Sequence, residues 1–269
     1  MDVAVVTGAG RGLGRAIAER LAERGLSVLV TDVDGESAER SAAALGSAGW
    51  AESLDVRDAD ACRAIAVSAA GRGRLAVWVN NAGVLQPGRT WEQDAGAIDR
   101  MIEVNLRGVV HGSRAAIDAM LPAGGGRILN VASLSSLSPA PGLAVYGATK
   151  HAVLAFSISL QAELRDAGVP IEVRSICPDT IVTDMVRDHV HDPQTALQWS
   201  GARALEVGEV ADRAVEVLYG RPLTTVVPRW RGVLARGIYA APRAGLHLLP
   251  LFKRVGERNR RRWLDSARG

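Results

Sequence analysis

A chain of 269 residues with 48% hydrophobic and 23% charged residues holds enough apolar material for a large core, which excludes a disordered polymer. Its net charge of +3 is unevenly distributed: residues 1–220 carry 20 basic and 27 acidic side chains, and residues 221–269 carry 12 and 2. The basic excess therefore belongs to a tail on a mildly acidic body and does not indicate a nucleic-acid-binding fold.

No run reaches the ~18 uninterrupted apolar residues of a membrane-spanning helix. The opening MDVAVVTGAG reads as a strand entering a glycine turn rather than a signal peptide, so the expected location is cytoplasmic. Cys62 and Cys177 are far apart and lack CxxC spacing, which predicts buried thiols rather than a disulfide framework or a zinc site.

In chain order, strand-like runs fall at 3–6, 27–31, 51–55, 75–80, 127–131 and 171–176, with a seventh at 224–227. Helical periodicity fills 13–24, 37–45, 59–70, 97–120, 145–165 and 210–218. Such alternation predicts an α/β fold, a doubly wound parallel seven-stranded sheet with helices on both faces. The expected division is a catalytic and dinucleotide-binding domain at 1–228 and a basic, partly apolar extension at 229–269. Ligands of such sheets sit beyond the carboxyl ends of the strands. The weakly patterned segment 181–206 reads as a binding loop or lid with room for a short helix.

The first strand runs into TGAGRGLG, Thr7 to Gly14. Gly8, Gly12 and Gly14 would let the backbone approach a pyrophosphate, while Leu13 and Gly14 open a helix whose unpaired N–H groups favour an anion. Asp32, 18 residues beyond Gly14, would accept the hydroxyls of an adenosine ribose and repel a 2′-phosphate, which favours NAD. Arg11 in the glycine loop keeps NADP open, because it would reach a 2′-phosphate. Asp55 and Val56 are expected to close the third strand beside an adenine ring, and NNAG, with Asn81, Ala82 and Gly83, follows the fourth.

AVYGATK sets Tyr146 one helical turn before Lys150 in a chain whose only other lysine is Lys253. Random placement of two lysines would put one four residues after any of the three tyrosines about 2% of the time. A phenol of ordinary pKa near 10 is a poor base at neutral pH, and a cation on the same helical face is expected to favour its ionised form.

Together, TGAGRGLG, Asp32, Asp55, NNAG, Asn105, Ser133 and YGATK, in that order over about residues 3–228, resemble the short-chain dehydrogenase/reductase family, single-domain branch. The resemblance implies a Rossmann-type fold and hydride transfer between nicotinamide and a secondary alcohol or ketone. It implies that Tyr146 is the acid/base, that Ser133 holds and polarises the substrate oxygen, and that Lys150 also bonds the nicotinamide ribose. By the same resemblance Asn105 anchors a water in the proton path, and Pro178, the Ile181 main chain and Thr183 border the carboxamide. The family is often oligomeric, so a homo-oligomer is expected.

Two positions depart from the family pattern: Thr149 stands where YxxSK has serine, and Asp179 where glycine usually follows Pro178. Asp179 reads as a turn residue before it reads as a substrate ligand. His189 and His191 lack metal-ligand spacing and read as a solvated loop, so no metal is expected. In the extension, Pro242 and Pro250 are expected to interrupt any long helix, and the final ten residues to be open to disorder. The extension would cover the substrate cleft, pack on another subunit or lie on an anionic membrane surface, contact with protein being favoured. Its apolar content and that of 181–206 suggest an apolar small-molecule substrate. The rival readings are an NADPH-dependent carbonyl reductase and a non-catalytic nucleotide-binding regulator or membrane-docked interaction protein.

Overall fold

A computed structural model describes residues 1–266. Strands β1 (Asp2–Thr7), β2 (Ser27–Asp32), β3 (Gly49–Ser53), β4 (Arg74–Asn80), β5 (Gly126–Val131), β6 (Ile171–Pro178) and β7 (Thr224–Val227) form one parallel sheet. Their order is β3-β2-β1-β4-β5-β6-β7, so the chain reverses direction across the sheet between β1 and β4. That reversal leaves a crevice at the carboxyl ends of these two strands.

Strands covered on both faces read as nearly continuous apolar runs, and in β1 every residue after Asp2 is buried. Because side chains alternate, Ala4 and Val6 enter one core with helices α1 (Gly12–Glu23) and α8 (Val207–Tyr219). Val3 and Val5 enter the other, against α3 (Ala59–Arg72) and α5 (Gly108–Met120).

Boundaries differ from expectation where local chemistry overrides periodicity. Helix α2 (Gly35–Ala43) starts two residues early because Asp34 caps it, its Oδ1 accepting from Ser37 N at 3.2 Å. Strand β3 lies two residues earlier than 51–55, so Asp55 and Val56 fall beyond its end instead of closing it. A side chain at Gly49 would press a Cβ to within 2.5 Å of the Ala42 carbonyl oxygen, so glycine lets the strand begin under the end of α2. The single helix expected over 97–120 is α4 (Ala95–Ile102), a π-turn at Glu103–Arg107 and then α5. Helix α6 (Ala144–Asp166) carries AVYGATK in its first two turns. Segment 181–206 contains a one-turn helix, α7 (Asp184–Arg187), and a 3₁₀ segment, Pro193–Ser200.

The C-terminal arm differs most from expectation. It folds as α9 (Arg229–Ala240) and α10 (Pro242–Ser266), an unbroken helix that begins at one of the two prolines expected to break it and contains the other. Pro242 occupies the first turn, where no intrahelical donor is needed. Pro250 removes a bond to the carbonyl of Leu246, an exposed residue whose oxygen water can satisfy. Tertiary packing holds the rest: Gly256 abuts the Ala196 carbonyl, Asn259 Nδ2 donates to the carbonyls of Trp199 and Gly201 at 3.0 and 2.9 Å, and Trp263 lies 5.1 Å from Trp199. The helix thus extends through most of the final ten residues, and 267–269 lie outside the described residues.

Candidate active site

A cavity of about 600 Å³ opens at the carboxyl ends of β1, β2, β4, β5 and β6, and it collects most of the residues singled out from the sequence. At one end is the glycine loop. Gly8 has φ +61° and its missing Cβ would sit 2.7 Å from Ala82 Cα, so the loop is pressed against NNAG with no room for a side chain. Gly14 is equally confined, since a Cβ there would approach the Gly8 carbonyl at 2.3 Å and Asn81 Nδ2 at 2.4 Å. Asn81 ties the two segments together, its Nδ2 donating to the Thr7 and Gly8 carbonyls at 3.0 and 2.9 Å. Thr7 Oγ1 accepts from Asn81 N and Ala82 N, both at 3.1 Å. Gly12, at φ +58°, starts α1 beside Thr183, and Leu13 is buried beneath it.

This cradle fits a dinucleotide. Its glycines leave backbone exposed at a helix N-terminus, and Asp32 at the end of β2 turns its carboxylate into the same cavity. Asp32 also braces the loop, with Oδ2 accepting from Gly10 N at 3.0 Å and Oδ1 from Asp34 N at 3.1 Å. Asp55 and Val56 line the wall as the loop after β3, but the Asp55 carboxylate is engaged by Arg57 at 2.6 Å, which holds its pKa below the ordinary value. Arg11 lies at the rim with its side chain largely exposed, 3.8 Å from Asp184.

Deeper in the cavity Ser133, Tyr146 and Lys150 converge from two elements, while Asn105 is not part of the lining and reaches the same helix only through Thr149. Ser133 follows β5 and caps the short turn Leu134–Ser136. Tyr146 is half-buried in the first turn of α6. Burial raises the Tyr146 pKa, and a hydrogen bond with Ser133 opposes that shift. Lys150 is buried, its Nζ donating to the Val131 carbonyl at 2.9 Å and lying 5.8 Å from the Tyr146 ring centroid.

The expected downward pull of Lys150 on Tyr146 is outweighed here: the ammonium is aimed at a carbonyl, and loss of hydration dominates the phenol. Burial also lowers the Lys150 pKa to about 8. Asn105 is fully buried at the π-turn, where its Oδ1 accepts from Val84 N at 2.8 Å and its Nδ2 donates to Val84 O at 2.9 Å and Thr149 Oγ1 at 3.3 Å. A Cβ on Gly83 would stand 3.3 Å from Asn105 Oδ1 and 3.7 Å from Lys150 Nζ, so NNAG reaches both ends of the site.

The third wall comes from residues after β6. Pro178 ends the strand and is buried, Ile181 bridges Leu205, and Thr183 caps α7 against the glycine loop. Asp179 does more than close a turn. Its Oδ1 accepts from Thr180 N at 2.9 Å, but its Oδ2 accepts from Arg231 Nε at 2.7 Å, and both side chains are buried. Desolvation raises the Asp179 pKa, with Arg231 opposing. Arg231 also donates to Ser200 Oγ at 3.0 Å, which fastens α9 to the cavity wall.

His189 is likewise not simply solvated, since its Nε2 lies 3.0 Å from the Leu85 carbonyl and pins segment 181–206 across the loop after β4, while His191 is exposed. Sequence reasoning overlooked Thr7, Arg231, Leu234, Ile238, Leu249 and Phe252, the last five lining the cavity from the arm. Apolar spacing in α9 and α10 was the available signal, obscured by the prolines.

Comparison with known proteins agrees with this geometry. The family model for short chain dehydrogenases matches residues 2–194. The chain is 39% identical over 186 residues to a probable oxidoreductase, EphD, of Mycobacterium tuberculosis, covering 67% of this chain but 31% of that protein, so it spans about a third of that relative's length. It is 36% identical over 218 residues to a 1-deoxy-11-beta-hydroxypentalenate dehydrogenase of Streptomyces avermitilis, covering 78% of each. A crystal structure of a short chain dehydrogenase/reductase from Burkholderia phymatum in complex with NAD superposes with a TM-score of 0.78 at 29% identity, covering 93% of this chain and 94% of that one. With the sheet order, the glycine cradle and the family match in agreement, the chain belongs to the short chain dehydrogenase family.

Proposed function

We propose that the protein is an NAD(P)-dependent oxidoreductase that interconverts a secondary alcohol and its ketone, with NAD preferred and an apolar substrate. The single observation that carries the reading is the meeting of Ser133, Tyr146 and Lys150 in the cavity headed by the glycine cradle. A bound nicotinamide would supply the hydride acceptor or donor. This chain's residues would do the rest. Tyr146 Oη exchanges one proton with the substrate oxygen, and the Ser133 hydroxyl, which now bonds the phenol, would turn to hold that oxygen. Lys150 is the buried cation that favours an ionised phenol once its ammonium is drawn off the Val131 carbonyl. Asn105, braced on both sides of Val84, completes the proton path beside it.

The preference for NAD rests on Asp32, a carboxylate at the end of β2 that would accept the ribose hydroxyls and repel a 2′-phosphate; Arg11 is exposed and beside Asp184. One relative is by its name a dehydrogenase of the hydroxylated compound 1-deoxy-11-beta-hydroxypentalenate, and the arm's Leu234, Ile238, Leu249 and Phe252 give this cavity an apolar wall suited to an apolar alcohol.

The test is a screen of alcohols and ketones, terpenoids and steroids included, with NAD and NADP in parallel, read by absorbance of the reduced nicotinamide. Tyr146→Phe should abolish turnover while leaving cofactor binding intact, and unchanged turnover would defeat the mechanism. Tighter binding of NADP than NAD would defeat the cofactor assignment alone.

A further inference from the structure

The outer face of the arm is unlike the rest of the surface. Among the described residues, six of the fifteen exposed large hydrophobic side chains lie within α9 and α10: Trp230, Val233, Tyr239, Leu246, Leu248 and Leu251. Exposed Arg229, Arg236, Arg243, Lys253 and Arg254 are interspersed with them along the same two helices, and none of these five pairs with a carboxylate among the described residues. Residues 229–254 contain no acidic side chain; the first is Glu257. The helices are held from beneath, by Arg231 on Asp179 and by Asn259 on Trp199 and Gly201, so the apolar residues face outward on a fixed support.

We infer that this face docks on an anionic lipid bilayer surface. Exposed apolar side chains interspersed with cations are the pattern that lies in a headgroup region, with burial of the former and attraction of the latter to anionic lipid acting together. No described helix is long and apolar enough to cross a membrane, so the arm rests on the surface. A second copy of this chain is the poorer occupant, because a self-complementary contact would bring two cationic, acid-free surfaces together. The geometry adds a consequence that rests on the functional reading above. The opposite side of the same helices lines the cavity through Ile238, Leu249 and Phe252, so docking would set the cavity beside the bilayer from which an apolar substrate would be drawn.

Binding is measured without turnover, so that it can fail independently of the enzymatic reading. The full chain is sedimented with vesicles of phosphatidylcholine alone and with about 30 mol% phosphatidylglycerol added. The expected result is at least about a tenfold higher bound fraction on the anionic vesicles, reversed by about 0.5 M NaCl. Leu246→Glu/Leu251→Glu and Arg243→Glu/Lys253→Glu alter exposed positions that do not line the cavity, so thermal midpoint and soluble-substrate turnover should be unchanged while vesicle binding falls by about tenfold or more. Absence of binding to either vesicle, or binding indifferent to both double variants, overturns the proposal. So does a change of oligomeric state in these variants without any change in vesicle binding, which would assign the face to a second copy.

Discussion

Arg231→Met removes the cation from a carboxylate that has no other charged partner among the described residues. Asp179 and Arg231 are 7% and 8% exposed at their side chains and meet at 2.7 Å. An orphaned buried carboxylate does not stay charged; it protonates, and at pH 7 that costs a group of ordinary pKa near 3.9 about 4 kcal/mol, falling to about 1.5 kcal/mol at pH 5. The direction follows from the raised pKa: stability tied to protonated Asp179 is fully present below about pH 4 and is lost as pH rises through the folded-state value. Losing one partner of a buried pair typically costs about 3–5 kcal/mol, a range that brackets the figure at pH 7. Denaturant unfolding of the cofactor-free protein at pH 5 and pH 7 should therefore show a destabilisation at least about twice as large at the higher pH, with an unchanged slope. Asp179→Leu/Arg231→Met, which removes both charges, should return to within about 1.5 kcal/mol of the parent and lose the pH dependence. A loss below about 1 kcal/mol in the single variant, or an equal loss at both pH values, would refute the argument.

Lys150→Arg should fold yet lose about a hundredfold or more in kcat/KM, because a rigid fork cannot occupy the position of a compact ammonium; near-normal turnover sinks that role. Lys150 is destabilising where it stands, since its lowered pKa of about 8 means its stability contribution is present above the unfolded value of 10.5 and lost as pH falls through 8. Lys150→Met should thus raise the denaturation midpoint of the cofactor-free protein at pH 7, the advantage shrinking from pH 8 towards 10.5; a lower midpoint at pH 7 would contradict the burial argument. Gly8→Ala forces a side chain into φ +61° and towards Ala82, and should weaken dinucleotide binding by about tenfold or more in a fluorescence titration. Asp32→Ala should raise the Kd for NAD and narrow the gap to NADP, though the loosened Gly10 contact will limit the gain; an unaltered ratio would show that Asp32 does not face the ribose.

How much was legible in the sequence follows how local the cause is. Strand β1, the glycine loop and α1 were readable because β-branched residues, small residues and helical periodicity act over a few neighbours, and the spacing of Tyr146 and Lys150 within one helix needs only helical geometry. Asn105 was named by resemblance alone, and the structure supplies its local distinction, a π-turn of the kind found at functional positions.

Other features have no local signature. Asp179 resembles a turn residue until α9 brings Arg231 from 52 positions away. Pro250 resembles a helix breaker until packing on the 193–200 segment outweighs the lost bond. The direction of the Tyr146 pKa depends on burial and on where Lys150 points, neither of which its spacing reveals. By itself, then, the sequence determined the strand-and-helix alternation, the glycine cradle and the one-turn spacing of Tyr146 and Lys150, because each arises from contacts within a turn or two of chain. Only the tertiary structure decided the electrostatics of that site and the roof over it, because desolvation and ion pairing depend on which distant segments exclude water.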